Sequence, residues 1–140
     1  MSNLIELSTK TVSASKLKKL KRIATAQLES STHMKPMVAI IVRGKRVIGT
    51  GTNKAKTHTK QAEHSKYKDD CKSVKLHAEI AVLNNTPKDL IEGADIYILR
   101  IRRMDGSLGT SAPCSACLSA CVKAGIRRIY YVEEEKETTR

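Results

Sequence analysis

Three side chains suited to metal binding and one carboxylate stand in two short clusters, His77-Ala78-Glu79 and Pro113-Cys114-Ser115-Ala116-Cys117. One imidazole nitrogen and two thiolates form a donor set that suits zinc, and three protein ligands leave a fourth position for water. Cys114 and Cys117 are one helical turn apart, so a helix starting at this pair can send both sulfurs to one point beyond its N-terminus. The positive partial charge there is expected to lower the thiol pKa and favour the metal-binding thiolate. His77 brings the nitrogen from a second helix start. Glu79, two residues on, lies close enough to meet a bound water without ligating. Zinc lets water ionise near neutral pH, and a neighbouring carboxylate can take up the proton and hand it on. The expected chemistry is hydrolysis by an activated water, with Zn2+ as cofactor and Glu79 moving the protons.

Two other readings use the same residues. A C-x-x-C at a strand-to-helix turn also suits thiol redox chemistry, but that reading leaves Glu79 and Pro113 without a role. A purely structural zinc site would need a fourth protein ligand, for which His33, His58, His64, Cys71 and Cys121 are the available donors. Cys121 lies one turn beyond Cys117 and reads as a small buried apolar side chain, since one helix cannot aim three sulfurs at an ion off its N-terminus.

The surrounding sequence predicts the elements that carry these clusters. Residues 13–28 form an amphipathic pattern, with Leu17, Leu20, Ile23, Ala24 and Leu28 on one stripe and the lysines largely outside it; Ser13 or Ser15 can cap the helix. Residues 37–42 (MVAIIV) are a branched apolar run of strand type, and residues 43–46 are a short basic turn into a second strand at 47–51, so the pair reads as an antiparallel hairpin. Residues 53–75 read as a long polar loop. A helix is expected at 76–85, a strand at 95–101, a turn-rich loop at 104–109, a helix at 113–124 with Pro113 in its first turn and Gly125 closing it, and a strand at 127–132. The order α-β-β-α-β-α-β gives a mixed sheet with helices on its faces, an α/β layered domain.

Composition sets the outer limits. With 140 residues and 40% hydrophobic content the chain suits one folded domain, residues 1–140, with a core at about 14–132 and a polar tail at 133–140. There is no Phe or Trp, and only Tyr67, Tyr97, Tyr130 and Tyr131 are aromatic, so the core must come from Ile, Val, Leu, Ala and Met. No apolar run is long enough to span a membrane, and the N-terminus does not read as a secretory signal, so a cytoplasmic protein is expected. The net charge of +12 resides in the first half: residues 1–75 hold 17 Lys/Arg against 5 Asp/Glu, while residues 76–140 hold 9 of each. A basic half suits a phosphate-bearing partner or a well-solvated surface.

The joint pattern H-x-E…P-C-x-x-C, with both halves at helix starts and one strand between them, is the signature of zinc base deaminases. On these residues the chain resembles the cytidine deaminase superfamily over residues 14–132. The resemblance implies a three-layer α/β/α fold and hydrolytic deamination of a nucleobase, with His77, Cys114 and Cys117 on the metal and Glu79 as the catalytic carboxylate. It also implies assembly into at least a dimer. Gly51-Thr52-Asn53 resembles the strand-end G-x-N of deoxycytidylate and tRNA adenosine deaminases, which makes Asn53 a candidate substrate contact; an Asx turn closing the strand is the alternative. Ala78, Lys54 and Lys56 are the other candidate substrate contacts; Lys54, Lys56 and Lys60, just after Asn53, are the phosphate candidates, with a solvated loop as the alternative for the lysines. The chain departs from the superfamily at Ala81, where deoxycytidylate deaminases often have Asn, and in its fifth strand, expected to be short or missing because only an acidic tail follows Val132. The loop carries His58, His64 and Cys71, where some deoxycytidylate deaminases hold a second zinc; their spacing fits no zinc motif, and they read as solvated. A free cytosine nucleotide such as dCMP is the favoured substrate. A base in single-stranded DNA, RNA or tRNA is the alternative, disfavoured because no Phe or Trp offers a stacking platform. A non-catalytic nucleic-acid-binding module is the third reading, and the intact Glu79 weighs against it.

Overall fold

The computed structural model describes residues 3–6, 12–28, 36–54, 77–102 and 106–132. β2 (Met37–Arg43), the MVAIIV run, is an interior strand in which Val38, Ala39, Ile40 and Ile41 are inaccessible to solvent. A strand this apolar on both faces requires a layer above and a layer below. β2 pairs antiparallel with β3 (Arg46–Thr52) through the turn at Gly44, whose φ of 65° suits glycine, and antiparallel on its other side with β4 (Asp95–Ile101). β6 (Arg128–Tyr131) runs parallel to β4. The sheet is therefore mixed, as expected.

Alternate side chains build two core layers. On one face, Leu20 and Ala24 of α1 (Ala14–Ala26) pack with Val38, Ile40, Val42, Tyr97, Leu99 and Tyr130. Ser13 caps α1, accepting a hydrogen bond from the Lys16 N–H. Tyr97 and Tyr130 are register partners across β4 and β6, and their rings stack at 4.5 Å with Lys16 Nζ 5.0 Å above Tyr97. On the other face, Ala78 and Val82 of α2 (Ala78–Asn85) and Cys121 of α4 (Ser115–Lys123) pack with Ala39, Ile41, Ile96, Ile98 and Ile129. The result is the three-layer α/β/α arrangement expected from the sequence. Between α2 and β4 the structure adds one short helix, α3 (Lys88–Ile91), where no element was expected.

Two strands were also not foreseen. β1 (Asn3–Glu6) pairs parallel with β6, Asn3 opposite Arg128 through Glu6 opposite Tyr131, giving the order β1-β6-β4-β2-β3. The position beside β6, where a fifth strand from the C-terminal side was in question, is thus filled from the N-terminal end of the chain. β5 (Leu108–Gly109), inside the expected loop, pairs antiparallel with the end of β4. Pro113 lies outside α4, one residue before its N-cap Cys114, rather than in the first turn; Gly125, at φ 89°, follows the C-cap as expected.

Candidate active site

α2 reaches its position because β3 lacks side chains where the helix must lie. A Cβ on Gly51 would come within 2.5 Å of the Val82 backbone nitrogen, and a Cβ on Gly49 would run into Thr86 Oγ1. The helix rests almost directly on the strand. Moving from Gly49 to Gly51 along β3 moves the contact from Thr86 to Val82, and the same progression carries Asn53 towards the first turn of α2, where His77 and Glu79 are found.

A different set of bonds fixes α4. Ser111, three residues before Cys114, is buried; its hydroxyl donates to the Ile98 carbonyl at 2.6 Å and accepts from the Val132 N–H at 2.8 Å, while its own N–H donates to the Val132 carbonyl. The approach to the cysteine pair is thereby tied to the ends of β4 and β6. No metal-ligand pattern points to Ser111, so sequence reasoning passed over it. A small polar residue ahead of P-C-x-x-C was the available signal.

His77 and Cys114 are the N-cap residues of α2 and α4, both extended, and neither caps its helix with its side chain. Both side chains are left to point across the gap between the helix starts. His77 Nδ1 lies 3.2 Å from Cys117 Sγ and 3.7 Å from Cys114 Sγ, and the three ligand atoms all fall within 4.8 Å of one another. Zn–N and Zn–S bonds of ordinary length at a tetrahedral angle set N–S and S–S separations of about 3.5–3.8 Å. The donor set and its spacing therefore fit zinc. Among the described residues no fourth His, Cys, Asp or Glu joins the cluster, which matches a site with a position open to water. Cys121 packs in the layer against the sheet, as expected, and burial pushes its thiol pKa up. His33, His58, His64 and Cys71 lie outside the described residues.

Glu79 is 2% exposed, and its Oε1 has no hydrogen-bond partner among the described residues. Burial raises its pKa above the usual carboxylate range, against the opposing pull of its own backbone and of His77. An unpartnered buried carboxylate oxygen beside three convergent ligand atoms fits a place for a water held between them. The His77 pKa is raised, first by its hydrogen bond with Cys114 and against the effect of burial. For Cys117 the pull in the metal-free structure is upward: its hydrogen bond with Cys114, followed by burial, raises its pKa. A bound cation would favour the thiolate form.

The candidate substrate contacts divide. Asn53 is buried; its Oδ1 accepts from the Met37 N–H at 2.9 Å and its N–H donates to the Met37 carbonyl at 3.3 Å, so it closes the β2–β3 pair at the end of the sheet nearest the site. Lys54 follows it, half-buried. Ala78 is fully buried in the layer beneath α2, so any contact with substrate falls to its backbone. Lys56 and Lys60 lie outside the described residues. Other described basic residues of the first half sit elsewhere. Lys16, Lys19 and Lys45 line a cavity of about 500 Å³ between α1 and the β2–β3 turn. That turn is the opposite end of β2 from Met37 and Asn53, about 20 Å away for a seven-residue strand.

Comparison with known proteins agrees with the fold and with a zinc-binding family. The family model described as the cytidine and deoxycytidylate deaminase zinc-binding region matches residues 14–133. The chain belongs to this zinc-binding deaminase family. Among solved structures it is similar to the dCMP deaminase of the cyanophage S-TIM5 in complex with dCMP and dUMP, at 15% identity over 85% of this chain and 82% of that one, with a TM-score of 0.53. It is also similar to RibD of Acinetobacter baumannii, at 20% identity and a TM-score of 0.47; the match covers 80% of this chain and 26% of that one. No curated protein matches the sequence. Among the described residues no helix is long and apolar enough to cross a membrane.

Proposed function

We propose that the protein deaminates the cytosine base of a free nucleotide such as dCMP, giving dUMP and ammonia. The observation that carries this reading is the buried, unpartnered Oε1 of Glu79 beside the convergent His77 Nδ1, Cys114 Sγ and Cys117 Sγ. His77, Cys114 and Cys117 hold zinc, which when bound acts as a Lewis acid and brings the ionisation of water near neutrality. Glu79 accepts a proton from the attacking water and delivers it to ring N3 as the water oxygen bonds to C4. It then passes the second proton to the exocyclic nitrogen, the C4–N bond breaks, and ammonia leaves. Its raised pKa suits a group that must both take and give protons near neutral pH. Asn53, held by Met37, and Lys54 border the substrate at the rim of the sheet.

The location of the described basic residues favours a nucleotide over a strand. A polynucleotide tracked by α1 and the β2–β3 turn would lie at the far end of the sheet from the base pocket. A binding module without turnover is disfavoured by energetics, since a buried, unpaired carboxylate costs stability that such a module has no reason to bear.

The test is to incubate zinc-loaded protein with dCMP, CMP, cytidine, dAMP and short single strands, following ammonia release and product mass. Turnover of dCMP is expected. Turnover of strands alone, or of none of the substrates, overturns the proposal. Glu79→Ala is expected to keep zinc and lose at least about a hundredfold in rate; retained activity would rule out the assigned role.

A further inference from the structure

We propose that Arg100 anchors the 5′-phosphate of the substrate, an inference that rests on the nucleotide reading above. The chain between Ile98 and Ser111 makes an out-and-back excursion: the Ser111 hydroxyl returns to the Ile98 carbonyl, and between them Arg100 pairs with Gly109 and Ile101 with Leu108. Arg100 therefore stands just beyond the level at which the chain turns into Cys114.

Two observations set the face it occupies. Arg100 alternates with Ile96 and Ile98, which pack in the layer under α2 and α4, and its register partner Met37 packs against that same layer. Its side chain leaves the sheet on the face that carries the metal-ligand cluster. Met37 is also the residue bonded to Asn53. Arg100, Met37 and Asn53 thus form a row across β4, β2 and β3, about 10 Å from end to end at ordinary strand spacing, along the rim below the first turns of α2 and α4.

Availability distinguishes Arg100 from its neighbour. Arg102, of the same parity, donates to Ser107 Oγ at 3.1 Å and to the Leu108 carbonyl at 2.8 Å, bracing the excursion. Arg100 is half-buried, and no described side chain pairs with its guanidinium. A planar guanidinium, partly withdrawn from water and with no carboxylate partner among the described residues, is suited to a phosphate by two parallel N–H···O bonds. With the base over Glu79 and Asn53 at one end of the row, Arg100 at the other is the group placed to read the phosphate.

The experiment measures calorimetric binding of dCMP and deoxycytidine to zinc-loaded wild type, Arg100→Ala and Arg100→Lys, with zinc content determined for each. Wild type is expected to prefer dCMP. Arg100→Ala should reduce the dCMP-to-deoxycytidine affinity ratio about tenfold or more, with zinc content retained, and Arg100→Lys should restore part of the ratio as a point charge without the fork. In turnover assays the loss should appear in KM for dCMP more than in kcat. An unchanged ratio, equal weakening of both ligands, loss of zinc, or a wild type without preference for dCMP would overturn the assignment. Absence of ammonia release from every substrate would instead overturn the deaminase reading, while the binding ratios still decide Arg100.

Discussion

Glu79 sits where a folded protein ordinarily avoids a carboxylate: out of water, with one oxygen lacking a partner among the described residues. Burial favours its protonated form in the fold, so in metal-free protein its contribution to stability is present below the ordinary carboxylate pKa and is lost as pH rises above it. Replacing it with Gln removes that loss. Glu79→Gln should therefore raise the Tm of metal-free protein at neutral pH by several degrees, measured by calorimetry, while abolishing turnover of the zinc-loaded form; a lower Tm would show that the charge is compensated. The cluster beside it gives a second expectation. Cys117 is buried with a thiol resistant to ionisation, so zinc binding must displace its proton. Apparent zinc affinity should fall as pH drops below neutrality, and Cys117→Ala should leave less than one zinc per chain by metal analysis. At this scale most of the site was legible beforehand, because ligand type and a one-turn spacing are local properties. The upward pull on the Cys117 pKa was not, since burial and its bond with Cys114 depend on packing.

Among the elements, the β3–α2 contact and the Ser111 tether set the geometry of the two helix starts. Gly51→Ala would force α2 off the strand at Val82, a backbone obstacle that cannot rotate away. A loss of about 1–3 kcal/mol is expected in denaturant unfolding, together with weaker zinc binding, because His77 moves with the helix. Ser111→Ala leaves the Ile98 carbonyl and the Val132 N–H short of a partner. It should cost about 1–3 kcal/mol and lower zinc affinity, and Ser111→Thr should recover part of both if its methyl is accommodated. Gly51-Thr52-Asn53 was noticed in the sequence as a strand end. That its glycine admits a helix, and that its asparagine closes the β2–β3 pair, became visible only with the partners in place. The hairpin, α1 and the strand at Asp95–Ile101 were legible because strong alternation or amphipathicity marks them. α3, β5 and β1 were not, being two to four residues long and held by distant partners.

Across the whole molecule, the N-terminal strand covers an edge of the sheet that would otherwise expose the backbone of β6. Deletion of residues 1–6 should lower stability and promote aggregation on heating, checked by calorimetry and light scattering; an unaltered Tm would show that the strand is dispensable. The concentration of basic residues around the α1–turn cavity, at the end opposite the site, predicts that charge changes there leave dCMP turnover within about twofold. Lys19→Glu and Lys45→Glu together test this through KM at low and high salt. Assembly into at least a dimer is what the family resemblance implies, and sedimentation velocity at micromolar concentration tests it.

The sequence by itself pointed to the potential zinc-ligand cluster, the three-layer class and the antiparallel hairpin, and it made Glu79 the candidate proton carrier, because each is written in residue type and short-range spacing. Only the tertiary structure decided which edge the N-terminal strand covers, that Ser111 ties down the approach to the cysteine turn, that Lys16, Lys19 and Lys45 gather at the opposite end of β2 from Asn53, and that Arg100 shares a row with Met37 and Asn53. These depend on contacts between residues far apart in the chain, and a periodic pattern cannot name its own partner.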